Sequence, residues 1–119
     1  MEIYNIVRGQ NLRAYVDEKR TLHVWSYGVP LVSMGTVETI KQRVLFWNDT
    51  TYSTTTTRHQ GIALAISLEY AKKYPWDMIH GFKSAKSCVY VLGYVPKNER
   101  EKAFDEIRKN GFQVKICTD

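Results

Sequence analysis

RVLFWNDTTYSTTTTRHQGIALAISLEYAKKY, residues Arg43–Tyr74, changes its hydrophobic period part-way, and that change decides the fold class. Arg43–Trp47 is apolar at four successive positions, short and rich in branched and aromatic side chains, which predicts a strand buried on both faces. Asn48-Asp49 stops it. From Gly61 to Tyr74, the residues Ile62, Leu64, Ala65, Ile66, Leu68, Tyr70 and Ala71 cover one broad helical face, and Glu69, Lys72 and Lys73 are left for solvent. The basic last turn suits the helix dipole, and Pro75 supplies a stop. A buried strand followed at once by such a helix predicts a sheet with helices packed on it.

The flanks extend this pattern. Met1–Val7 and Leu12–Val16 read as strands, and the polar run DEKR, Asp17–Arg20, separates the second from LHVWSY as in a hairpin. Alternation puts Leu22 and Val24 on one face and His23, Trp25 and Tyr27 on the other. Pro30 places PLVSM at an edge or at the beginning of a new strand. Further on, CVYVLGYV, Cys88–Val95, has the length and β-branched content of a central strand. A helix over Glu99–Asn110 follows, with Asn98 and Glu101 in capping-box spacing, apolar Ala103, Phe104 and Ile107, and Gly111 at the C′ position before the strand FQVKI. Strand, helix and strand with short connections predict a right-handed crossover and a parallel pair. The expected fold is a single α+β domain: a mixed, mostly antiparallel sheet of about five strands with two packed helices.

At 119 residues the chain has room for one core. It carries 44% apolar and 24% charged residues, ordinary globular values, and a formal net charge of +5. That excess lies in the C-terminal half, where ten Lys or Arg from Tyr70 onward face six Asp or Glu. Such a balance favours a polyanionic partner or merely solubility. No apolar run reaches the roughly 18 to 20 residues that span a bilayer, and MEIYNIVRGQ lacks a signal-peptide pattern, so a cytoplasmic protein without membrane partners is expected. Cys88 and Cys117 are too few and too far apart for a disulfide framework or a paired-cysteine zinc site.

The hydroxyl-rich segment YSTTTTRHQ, Tyr52–Gln60, has two readings. Thr57 and Gln60 fit a capping box for the helix that follows. Alternatively, free N–H groups at a helix N-terminus, with Tyr52, Ser53, Thr55, Thr56, Arg58 and His59 around them, suit a phosphate or carboxylate. Catalysis at His59 would need an orienting carboxylate, and none stands nearby except Asp49 across a turn. His23, His59 and His80 share no ligand spacing, so neither a metal nor a cofactor is expected. Lys83 and Lys86, together with Lys72 and Lys73, form a candidate basic patch. VYVLGY, Val89–Tyr94, is similar to the first signature strand of the RNA recognition motif, but too little chain follows Tyr94 to complete that fold.

SYGVPLV, Ser26–Val32, and YSTTTTRH, Tyr52–His59, together resemble an uncharacterised small domain common in bacteriophage and prophage genomes, whose members carry S-Y-x-T-x-V-like and Y-S-x-T-T-x-K/R-H-like motifs. The second motif fits at Tyr52, Ser53, Thr55, Thr56, Arg58 and His59, and the first departs at Pro30. The likeness covers residues 12–74, leaving 75–119 as a strand-helix-strand extension. It implies a phage-type accessory protein that binds and inhibits a host protein complex, anti-phage defence machinery being the specific expectation, in the manner of anti-CRISPR proteins. The binding residues are then Tyr52, Ser53, Thr55, Thr56, Arg58, His59, Lys83 and Lys86, with no catalytic residues. Nucleic-acid binding through the basic C-terminal half is the alternative, and a small nuclease-like enzyme centred on His59 the third.

Overall fold

The computed structural model describes residues 4–9, 11–73, 86, 89 and 93–118. They form β1 (Tyr4–Arg8), β2 (Leu12–Val16), β3 (Leu22–Ser26), β4 (Val29–Val37), β5 (Gln42–Asn48), α1 (Thr54–Lys72), a 3-10 turn (Lys97–Glu99), α2 (Arg100–Lys109) and β6 (Phe112–Cys117). The six strands make one sheet in the order β1-β2-β3-β4-β5-β6. The first five form an antiparallel meander, and β6 lies parallel to β5. The α+β class and the mixed sheet are as expected, with six strands where about five were predicted.

Register explains the layering. Ala14 pairs with Val24, Val24 with Val32, and Val32 with Trp47, so these side chains share one face. All four are buried, with Leu22, Met34 and Leu45 in the neighbouring row. Helices α1 and α2 cover this face, α1 over β3 and β4, and α2 over β6. Trp47 meets Phe104 of α2 edge-on, with ring centroids 5.5 Å apart. Within β5 the expected burial on both faces is incomplete: Val44 is buried, but Phe46, on the face away from the helices, is 39% exposed. Pro30 is the second residue of β4, an interior strand, beside a bulge that shifts the register between Val24 and Trp25.

Of the predicted central strand Cys88–Val95, residues 88 and 90–92 lie outside the described residues, and the four that are described are not in a strand. Val89 is helical, Gly93 has φ +86°, and Gly93–Val95 belong to no strand. The Val95 N–H instead donates to the Gly61 carbonyl of α1. The parallel partner of β6 is therefore β5, and the crossover between them includes α1 and α2. Length and β-branched content alone do not distinguish a strand from other apolar segments.

Both predicted capping boxes are also replaced. Helix α1 starts at Thr54, capped by Ser53, whose Oγ accepts from the Thr56 N–H at 3.2 Å. Thr57 lies inside the helix, its hydroxyl donating to the Ser53 carbonyl. Helix α2 begins after the 3-10 turn with Glu99 at the cap and no side-chain capping bond. Its far end follows prediction, with Gly111 at φ +91° and its N–H donating to the Arg108 carbonyl. Among the described residues no helix is long and apolar enough to cross a membrane.

Candidate functional site

The β3–β4 turn and the first turns of α1 meet at one end of the sheet. Ser26 closes β3 on the helix-facing side, and His59 lies on the second turn of α1. Ser26 Oγ and His59 Nδ1 are 2.6 Å apart and share a hydrogen bond. Both are buried, at 1% and 7% exposure. The Tyr27 ring stacks on the imidazole, with centroids 5.7 Å apart and 28° between the planes. Thus the two sequence motifs, separate in the chain, form one junction. Burial, and the Arg58 charge beside it, hold the His59 imidazole below its usual range.

A second polar network lies alongside. Gln60, buried at 2%, donates from Nε2 to the carbonyls of Asn48 and Thr50. Its Oε1 accepts from Arg100 Nη2 at 3.2 Å, while Arg100 Nη1 donates to Asp49 Oδ1 at 3.1 Å. Asp49 also accepts from Trp47 Nε1, and the Arg100 guanidinium lies over the Trp47 ring at 5.5 Å. Asn48 donates to the Pro30 carbonyl and the Tyr52 hydroxyl. This network satisfies the backbone where β5 gives way to α1 and ties that junction to α2. Asp49, the carboxylate considered as an orienting partner for His59, is engaged here.

The predicted site residues therefore divide. Tyr52, Ser53, Thr56 and His59 take part in the junction, Thr56 accepting from the Ser53 hydroxyl. Thr55 and Arg58 are exposed and border an open groove of about 480 Å³ with Thr54, Thr57, Val89 and Tyr94. Lys86 is exposed and helical, and Lys83 lies outside the described residues. No group of three or more His, Cys, Asp or Glu able to hold a metal occurs among the described residues. Cys117 is free and exposed.

The sheet face away from the helices carries side chains that the sequence reading did not select. Tyr15, His23, Ser33, Phe46 and Lys115 form one cross-strand row, and Arg8, Arg13, Trp25 and Pro30 lie in the adjoining one. Tyr15 stacks on His23 at 5.1 Å, and Arg13 lies over Tyr15 at 4.8 Å. The period-two alternation of LHVWS was the available signal, since it already set His23 and Trp25 on the face opposite Leu22 and Val24. In comparisons with family models, curated proteins and solved structures, the chain matched none.

Proposed function

We propose that this chain is a small non-enzymatic accessory protein of phage type, which acts by binding and inhibiting a host partner. The observation that carries the binding reading is the burial of the Ser26–His59 pair. A nucleophile and base must reach a substrate, whereas Ser26 is 1% exposed, His59 is 7% exposed and the Tyr27 ring stacks on the imidazole. These groups hold a junction together. What solvent meets instead is an open sheet face of aromatic and cationic side chains, together with Thr55 and Arg58 beside the helix N-terminus.

The resemblance of the Ser26–Val32 and Tyr52–His59 motifs to the phage domain supports anti-phage defence machinery as the target. Expression of the chain in a host with an active defence system should raise the plating of a targeted phage, and a pull-down should recover a stoichiometric defence protein. Unchanged plating with no specific partner would sink this target.

Nucleic-acid binding is the second reading. It is favoured by Arg8 and Arg13 lying opposite each other on the open face beside Tyr15 and Trp25.

A further inference from the structure

We infer that the corner of the open sheet face around Arg8, Arg13, Tyr15, Trp25 and Tyr27 binds single-stranded nucleic acid. The inference rests on the reading of this chain as a binding protein, and it assigns the contact to residues of the open sheet face.

Charge gives the first argument. Arg8 of β1 and Arg13 of β2 are directly opposite in register, so their side chains share a face, and both are exposed. Like charges so placed repel. No carboxylate pairs with either among the described residues, where the ion pairs involve Asp17, Glu106, Glu69, Asp49 and Asp105 with other cations. An anion bridging the two guanidinium groups would convert this repulsion into attraction, and the bidentate fork of arginine suits a phosphate. Lys115 lies on the same face beside Phe46.

Ring chemistry gives the second. Trp25 is the cross-strand neighbour of Arg13, and Arg13 already lies over the Tyr15 ring. Gly9, Asn11, Arg13, Tyr15, Trp25 and Tyr27 border an open pocket of about 410 Å³. That size falls within the roughly 300–1,000 Å³ of small-ligand sites. Further along the face, Phe46 is 39% exposed. Aromatic faces spaced among cations stack bases while the cations follow the backbone, which requires bases free of a duplex.

Backbone strain at the pocket rim is the third. Tyr27 and Gly28 form the β3–β4 turn with φ +50° and +79°. Asparagine or glycine normally occupies the first of these positions, yet a tyrosine is held there, 54% exposed.

The test is fluorescence anisotropy of the full chain with labelled oligo-dT, oligo-U and a duplex of equal length. Both single strands, or either one, should bind more tightly than the duplex, and their relative affinity identifies DNA or RNA as the natural ligand. Affinity should fall with salt, with a log–log slope of about −0.7 per phosphate contact. Arg13→Glu and Trp25→Ala should each weaken binding about five- to a hundredfold, whereas Lys102→Glu, the same charge change on α2, should have a much smaller effect. Amide and indole chemical shifts of the wild-type chain provide a readout independent of variant folding, and they should move around Arg13, Tyr15 and Trp25. Preference for the duplex, salt-insensitive binding, equal losses for Arg13→Glu and Lys102→Glu, or shifts confined to the helices would overturn the inference. If no oligonucleotide binds but a protein partner is captured through Arg13, nucleic acid is excluded and the binding reading survives.

Discussion

Ser26 and His59 are 33 positions apart in sequence and 2.6 Å apart in space, joining the end of β3 to the second turn of α1 by one buried hydrogen bond. Removing either partner leaves the other buried and unsatisfied. Ser26→Ala and His59→Ala should each destabilise the fold by about 1–3 kcal/mol, with the double variant costing less than the sum. Urea denaturation of the four proteins in the cycle measures this. Strict additivity would mean that the two groups are not coupled.

Acid should loosen the same junction. Because the folded-state pKa of His59 is depressed below the ordinary 6.5, the folded chain binds this proton less readily than the unfolded chain. Its contribution is complete above pH 6.5 and is lost as the pH falls through the folded-state value. The melting temperature should therefore decline between pH 7.5 and 5, and His59→Gln should flatten that decline. An unchanged slope in the variant would assign the acid sensitivity to other groups.

Arg100 connects α2 to the β5–α1 junction by bonding Gln60 and Asp49 and by packing over Trp47. Asp49 is 42% exposed on its side chain, so its half of the interaction is screened and the full penalty of a broken buried pair does not apply. Arg100→Ala should cost about 2 kcal/mol in a urea titration. Arg100→Lys should recover little, because a point charge cannot serve both acceptors while covering an indole.

Gly61 lies in the middle of α1, where glycine is unfavourable by about 1 kcal/mol relative to alanine. A Cβ there would come within 3 Å of three ring atoms of Tyr94, so the absent side chain makes room for the ring. Gly61→Ala should destabilise the wild type but stabilise Tyr94→Ala by about 1 kcal/mol. Stabilisation in both backgrounds would show that the ring moves aside freely.

Tyr27→Asn should relieve turn strain and forfeit the stack on His59, leaving stability within about 1 kcal/mol of wild type. On the reading of the open face given above, it should also weaken oligonucleotide binding severalfold. Full retention of affinity would remove Tyr27 from the contact surface.

The strands were legible because one face of the sheet is buried and period-two alternation records that directly. Helix α1 was legible through its apolar core, but its true start was hidden because Ser53 and Thr57 are equally good caps by type. Gln60 looked like the partner of a capping threonine and is instead a buried strut, a distinction set by Asn48, Thr50 and Arg100. At the described end of the Cys88–Val95 reading, Gly93 takes a positive φ that its β-branched neighbours outweighed in the sequence pattern. The open-face residues were visible one at a time, but only register makes neighbours of Arg8 and Arg13.

The parallel pairing of β5 with β6 bears on how this chain emerges from a ribosome. Strands β1 to β5 can zip up hairpin by hairpin as they are synthesised, but the outer edge of β5 has no partner until Phe112–Cys117 has been made. Throughout that interval Leu45 and Trp47 sit on an open strand edge, and the nascent protein is most prone to sticking to its neighbours.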